Sequence, residues 1–402
     1  MSQQPGPVPD PFTDGIGRLP GPVAALSDRA QAMAELLVRW AEINSGSSNA
    51  AGLGRMADAL MNSFQDAFPG AQIQALPLGA AGAVRAISVQ MRPGAPRQVL
   101  LSGHYDTVYS ADHSFQTCTR LDAATLRGPG VADMKGGIVT MLEALRAFES
   151  EQPGTVGWQV LLTPDEETGS VLSAPLLREV AQHHQLALVF EPSRPNGNIV
   201  RARMGTGILT ATSHGRAAHA GRAPEDGRNA IVALAEFLVA ADQAARTIPG
   251  ILLNIGAIRG GGTVNIVPDF AQAEMNFRVS RSAGEAELRR ALEAAASRIN
   301  ARDGYRLEIS GQLNRPPKEI LPAEEPLFSA YRACAASVGA QVDWQDVAGG
   351  SDGNILSAAG LPCLDGLGPI GEHLHSSDEI VRLPSLVQRA QIAALFLRRL
   401  AL

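Results

Sequence analysis

Val99-Leu100-Leu101-Ser102-Gly103-His104-Tyr105-Asp106 is an apolar run that ends in ionisable residues, and the same order returns twice further along the chain. Trp158 to Leu162 leads into Thr163-Pro164-Asp165-Glu166-Glu167-Thr168-Gly169-Ser170, and Leu186 to Phe190 leads into Glu191-Pro192-Ser193. Apolar runs this short, bounded by turn residues, read as buried strands. In open α/β sheets ligands bind beyond the carboxyl ends of the strands, so the repeated placement of His, Asp and Glu predicts one shared site. Between the first two runs, Ile138, Met141, Leu142, Leu145 and Phe148 make one apolar helical face. Strands alternating with helices predict an α/β fold, with a mostly parallel sheet and helices on both faces.

The pattern changes between Arg203 and Asn314. It reads there as a strand (Gly207 to Thr212), a helix (Asn229 to Ala245), strands Ile251 to Ile258 and Ala271 to Val279, a helix (Glu285 to Asn300) and a strand (Tyr305 to Ser310). That β-α-β-β-α-β order suits a separate α+β domain. The expected organisation is a catalytic domain of residues 27–202 and 315–402, interrupted by a domain of residues 203–314. Residues 1–26, rich in Pro and Gly, are expected to be a loose arm. Regular structure is expected from Ser27, with helices from Asp28 to Ile43 and Gly54 to Phe68, and a closing helix from Pro384 to Leu400.

Composition narrows the function. Apolar residues at 45% and charged residues at 18% belong to a globular protein. The formal charge of -6 comes without a long basic run, which argues against nucleic acid as the partner. It leaves room for an anionic substrate, since a few arginines in one pocket set the local field. Cys118, Cys334 and Cys363 form no C-x-x-C pair, so neither a disulfide framework nor a thiolate zinc site is expected. The N-terminus has no basic and apolar leader pattern. No apolar run approaches the ~20 residues that span a bilayer, so a cytoplasmic protein with no membrane partner is expected.

Besides the three strand ends, Gly130-Val131-Ala132-Asp133-Met134-Lys135-Gly136-Gly137 and His375-Ser376-Ser377-Asp378-Glu379 stand out. Each motif alone has a plain reading as a cap or a hydrogen-bonded loop. Together, two histidines and three carboxylates are the donor set of zinc or a similar divalent ion. Two cations side by side repel and need an anionic bridge, for which Asp133 is the candidate. One ion would then have His104 and Glu191, and the other Glu167 and His375. Adjacent strand residues point to opposite sides, so Glu166 and Glu167 should not both ligate one ion unless the strand has ended. Glu166 is read as general base and later general acid. Asp106 is placed to accept the second imidazole N–H of His104 and orient it. An acidic surface turn is the competing reading of Asp165-Glu166-Glu167.

These motifs together resemble the zinc-dependent exopeptidase and deacylase family of glutamate carboxypeptidase, acetylornithine deacetylase and succinyl-diaminopimelate desuccinylase. The resemblance implies that His104, Asp133, Glu167, Glu191 and His375 ligate two divalent ions, Zn2+ first, with Co2+ or Mn2+ as alternatives. It implies Asp106 and Glu166 as the orienting and proton-transfer carboxylates, and a cis peptide between Asp133 and Met134. The inserted domain resembles the family's lid, which also mediates homodimerisation. Within it, Gly215-Arg216-Ala217-Ala218-His219-Ala220-Gly221 resembles the motif whose histidine reaches the partner subunit's active site and stabilises an oxyanion. Asn265 and Arg278 match substrate-contacting positions, and Arg203 and Arg315 are further candidates, with solvated surface arginines as their competing reading. Gly349-Gly350-Ser351-Asp352-Gly353 resembles the Gly-rich loop that lines a carboxylate pocket, so Gly350 and Ser351 are candidate contacts.

The expected activity is metal-assisted hydrolysis of an amide bond in an N-acyl amino acid or dipeptide-like substrate, releasing an amino acid with a free carboxylate. The Asp165-to-Ser170 pattern and Arg315-Pro316 look closest to glutamate carboxypeptidase-like members, with N-acyl amino acid deacylation as the close alternative. A non-catalytic metal-binding or scaffold protein on the same fold is the alternative of another class. A serine hydrolase is a third alternative: Gly349-Gly350-Ser351-Asp352-Gly353 fits the letters of a G-x-S-x-G elbow, but it is read here as the Gly-rich loop described above.

Overall fold

Strand Arg97–His104 lies at the middle of an eight-stranded sheet and carries His104 as its last residue. Val99, Leu100 and Leu101 are fully buried, which is why this run reads apolar on both faces. Its neighbours are strands Val156–Thr163 and Leu186–Val189, both parallel to it. Because all run the same way, the turn with Glu166 and Glu167 and the loop with Glu191 leave the sheet at the edge where His104 ends. Strand Cys363–Asp365 extends the parallel core beyond Leu186–Val189. Antiparallel strands Val84–Met91 and Gln72–Leu78 continue the sheet on the other side. The fold is therefore α/β, with a parallel centre and antiparallel flanks. The structure is a computed structural model and describes residues 19–151 and 154–401.

Helix Lys135–Glu149 starts directly after Asp133 and Met134, is buried along most of its length, and packs on the closing helix Leu383–Ala401. Its first turn comes so close to the chain that a Cβ on Gly137 would sit far inside contact with the carbonyl oxygen of Phe190. Glycine there lets the backbone next to Asp133 lie against the backbone leading to Glu191. The second helix spans Ala50–Ala67, starting earlier than its apolar periodicity suggests because Asn49 caps it, accepting from the N–H of Gly52 at 3.0 Å. At the N-terminal end the expected arm differs from the structure. Gly21–Ala24 is helical, Ala25–Arg29 is a 3-10 turn, and Val23 and Leu26 are buried in the main core, so hydrophobic burial orders a segment that Pro and Gly content marks as loose. Residues 1–18 of that arm lie outside the described residues.

The described residues form two compact units, one drawn from residues 19–201, 321–345 and 359–401, the other from residues 202–320 and 346–358. The second contains the expected strand-helix-strand-strand-helix-strand order. Its strands Ile251–Gly260, Phe270–Val279, Gly205–His214 and Arg306–Arg315 lie in that spatial order, all antiparallel. Leu209, Phe237, Met275, Phe277, Leu288 and Leu307 belong to its own core. Residues 315–320 and 346–358, placed in the catalytic domain on sequence grounds, group with this unit. Arg203 and Lys318 exchange backbone hydrogen bonds, and the side-chain amide of Asn354 donates to the carbonyls of Met204 and Pro316.

Gly137→Ala is expected to destabilise the protein by about 1–3 kcal/mol, the usual cost of overpacking a close contact. Urea unfolding measures it, and an unchanged midpoint would show that the backbones at Gly137 and Phe190 separate freely.

Candidate metal centre

Asp133 is buried and uses its two oxygens on two different histidines. Oδ1 lies 3.1 Å from Nε2 of His104, and Oδ2 lies 3.2 Å from Nε2 of His375. Glu191 approaches His104 Nε2 at 3.7 Å, and Glu167 approaches His375 Nε2 at 3.2 Å. Two donor groups result, His104-Asp133-Glu191 and Asp133-Glu167-His375, and within each the ligand atoms lie within 4.8 Å of one another. All belong to the first unit. The peptide between Asp133 and Met134 is cis, as the resemblance implied. His375 is half-exposed while His104 is almost wholly buried, so the centre opens to solvent on the His375 side. His375 adopts a left-handed backbone conformation at φ 62°, uncommon outside glycine, on the loop between strands Gly371–Glu372 and Ile380–Arg382.

Glu166 and Glu167 diverge for a different reason from the pleat of a strand. The strand ends at Thr163, and both residues lie in a 3-10 turn, Glu166–Thr168. That turn sends Glu167 toward His375 and leaves Glu166 Oε2 4.0 Å from His104 Nε2. Asp106 holds the turn and the histidine at once. Its carboxylate accepts from the backbone N–H groups of Glu166 and Glu167 at 3.1 and 3.2 Å, and from Ser47 Oγ at 2.8 Å. Its Oδ1 lies 3.2 Å from His104 Nδ1, and its carbonyl lies 3.1 Å from the same nitrogen. Ser47 had no motif to reveal it, since it reaches Asp106 only through the fold.

The electrostatics favour cations. Burial opposes a charge on His104, but its contacts with Asp106 and Asp133 and the nearby charges of Glu191 and Glu166 hold its pKa well above the ordinary imidazole value. Hydrogen bonds to Asp133 and Glu167 push His375 up to about 11. Burial, then the charge of Asp133, push Glu167 up to about 7. Carboxylates crowded out of water are costly without positive charge among them. Here protons are drawn to the atoms that a metal ion would use, and the imidazole and carboxylate donors with no thiolate suit zinc or a similar ion. The residues fit a pair of divalent ions sharing Asp133.

The remaining candidates lie in the second unit. Arg203 and Arg315 are buried, so neither is a solvated surface arginine. Arg203 Nη1 donates to the carbonyl of Gly349 at 3.2 Å, and half-buried Arg278 donates to that of Ala348. Arg315 lies against Gly350, where a Cβ would fall 2.9 Å from its Cδ. Three guanidinium groups thus converge on one glycine-containing loop. Ser351 is fully buried and its Oγ accepts from the N–H of Gly353 at 3.0 Å, so it shapes the loop from inside rather than facing solvent. His219 is exposed, and its Nδ1 accepts from the N–H groups of Gly221 and Arg222 at 3.1 and 3.2 Å. An imidazole that accepts at Nδ1 carries its proton on Nε2, which leaves a donor facing outward. Exposed Asn265 accepts from the N–H of Ala220 next to it, at 2.9 Å.

Paired donor groups that share a carboxylate, with a further glutamate beside them at the ends of parallel strands, define a metal-dependent hydrolase. The chain belongs to peptidase family M20/M25/M40, whose profile matches residues 100–399. It is 26% identical to carboxypeptidase G2 of a Pseudomonas species over 74% of this chain and 72% of that one. It is 32% identical to the succinyl-diaminopimelate desuccinylase of Methylococcus capsulatus over 65% of this chain and 71% of that one. Among solved structures, aminopeptidase PepT of Bacillus cereus superposes with a TM-score of 0.77 at 20% identity, covering 93% of this chain and 99% of that one. The M20 family metallo-carboxypeptidase Sso-CP2 of Sulfolobus solfataricus gives 0.72 at 16%, covering 91% and 98%. At such identities the likeness is one of fold. Among the described residues no helix is long and apolar enough to cross a membrane.

Asp106→Ala strips an acceptor from Ser47, Glu166 and Glu167, and buried donors left unpaired cost about 1–3 kcal/mol each. A loss of at least about 2 kcal/mol is expected by urea unfolding, and a wild-type midpoint would mean that other contacts hold the turn.

Proposed function

We propose that this protein hydrolyses an amide bond in a small substrate and releases an amino acid with a free carboxylate, in the manner of a glutamate carboxypeptidase. The observation that carries the reading is Asp133 shared between two donor groups with Glu166 beside them. His104, Asp133 and Glu191 would hold one divalent ion, and Asp133, Glu167 and His375 the other, zinc being the ion that the donor set suits best. Bound ions lower the pKa of a water molecule and polarise a carbonyl group.

The chain's own residues do the rest. Glu166 takes the proton of the attacking water and hands it to the leaving nitrogen, so that the amine departs neutral. Asp106 fixes the orientation of His104 and the direction in which Glu166 leaves its turn. His219, with its proton on Nε2, would act in trans, supplying a hydrogen bond to the oxyanion that develops in the partner subunit's site as the carbonyl is attacked. Arg203, Arg278 and Arg315, gathered on the 348–350 loop, recognise the substrate carboxylate, a guanidinium being suited to bidentate capture. Asn265 beside His219 assists in binding. The reading includes a cytoplasmic homodimer formed through the inserted unit, supported by exposed apolar Leu252, Ile258 and Val264 on it.

Deacylation of an N-acyl amino acid is the second reading, favoured by 30–32% identity to succinyl-diaminopimelate desuccinylases against 26% to carboxypeptidase G2. Both follow the same chemistry and differ in which side of the amide is recognised.

A panel of dipeptides ending in acidic or neutral residues and of acetyl- and succinyl-amino acids separates the two. Glu166→Ala is expected to keep its metal and fold but lose at least about 100-fold in turnover, and activity within a few-fold of wild type would remove Glu166 from proton transfer. Arg315→Ala is expected to raise KM for substrates with a free carboxylate while kcat changes less. An equal fall in kcat on carboxylate-blocked substrates would contradict a binding role.

A further inference from the structure

We propose that Glu379 is the positioning residue that fixes the turn bearing Asp133, and that the affinity of the metal centre depends on it. The inference rests on the metal reading above and goes beyond its ligand set. Glu379 is almost fully buried, yet it touches neither histidine in the contacts described above. Its Oε1 accepts from the backbone N–H groups of Ala132 and Asp133 at 2.9 and 3.0 Å. Its Oε2 accepts from the N–H of Gly130 at 3.1 Å and from the hydroxyl of Tyr109 at 2.7 Å. One side chain thus satisfies the amides of most of the turn between Gly130 and Asp133. A turn this tight leaves several N–H groups pointing the same way with no partner of their own, and a carboxylate set among them closes it.

The anchor is tied to the other side of the centre as well. Glu379 lies four residues after His375, and its own N–H donates to the carbonyl of Ser376 at 3.1 Å. Its carbonyl accepts from the N–H of Gly128 at 3.2 Å, beside the pairing of Ile380 with Arg127 and Val381 with Leu126. Tyr109 Oη lies 2.8 Å from the same Ser376 carbonyl. Glu379 therefore joins the His375 loop to the Asp133 turn. Asp133 must offer Oδ1 to one donor group and Oδ2 to the other, so a small rotation of its backbone spoils both at once. Carboxylates that orient ligands in this way typically govern metal affinity by about 10–100-fold.

Calorimetric titration of zinc chloride into the metal-free full chain tests the proposal in wild type, Glu379→Gln, Glu379→Asp and Tyr109→Phe, with near-UV circular dichroism as the check on folding. Gln keeps the length but turns an NH2 toward N–H donors. Asp keeps the charge but is too short to reach them. Both are expected to weaken zinc binding by about 10–100-fold. Tyr109→Phe removes a single donor and is expected to lose about two- to tenfold, which keeps the test decisive if the Glu379 variants do not fold. Wild-type affinity in Glu379→Gln or in Tyr109→Phe would overturn positioning. So would wild-type affinity in Glu379→Asp beside a loss in Glu379→Gln, which would show that charge alone matters. A wild-type chain that takes up no zinc would overturn the metal reading itself, and this inference with it.

Discussion

Carboxylates gathered in a buried space repel one another unless positive charge lies between them, and that constraint organises the first unit. Asp133, Glu167 and Glu191 bring negative charge to a place where His104 and His375 can neutralise it only by holding protons. Water is largely kept from all but the His375 side, so the field is weakly screened. A polypeptide tolerates such a cluster when something outside the chain completes it, and imidazole and carboxylate oxygen name the kind of ion. The sheet serves this end. Parallel strands bring His104 and the glutamate turns to one edge, and the glycine-rich start of helix Lys135–Glu149 lets the Asp133 turn approach closely.

Much of this was legible in the sequence because it repeats. An apolar run ending in His or Glu recurs at 99–106, 158–167 and 186–191, and the fold turns that recurrence into proximity. The lid-like rhythm of 203–314 was legible for the same reason, since its apolar periods alternate cleanly between helix and strand. Asp133 and His375 lie on turns with no periodicity, and only their motifs revealed them. What stayed hidden was what depends on tertiary contact. Ser47 reaches Asp106 across the fold, Val23 and Leu26 are ordered by burial despite the prolines around them, and the divergence of Glu166 and Glu167 comes from a 3-10 turn that propensity does not announce. Glu379 was part of a quoted motif, but its role depends on amides at Gly130, Ala132 and Asp133, which carry no sequence signal.

The second unit carries a different kind of information. Its arginines are conspicuous because Arg203 and Arg315 are buried, Arg203 and Arg278 donate to backbone carbonyls of a single loop, and Arg315 packs against Gly350 of that loop. Buried guanidinium groups are held in fixed geometry, which suits recognition of a planar carboxylate better than a mobile surface charge does. His219 is likewise set by its surroundings, with two amides fixing its tautomer and leaving a donor at the exposed nitrogen. The proposed carboxylate recognition rests on this unit, and the proposed metal centre with Glu166 on the first.

Anomalous scattering from crystals grown with zinc and recorded at the zinc edge tests the central claim most directly. The account requires two peaks per chain, one shared by His104, Asp133 and Glu191 and the other by Asp133, Glu167 and His375. A single peak, or none in contact with Asp133 at saturating zinc, would contradict it.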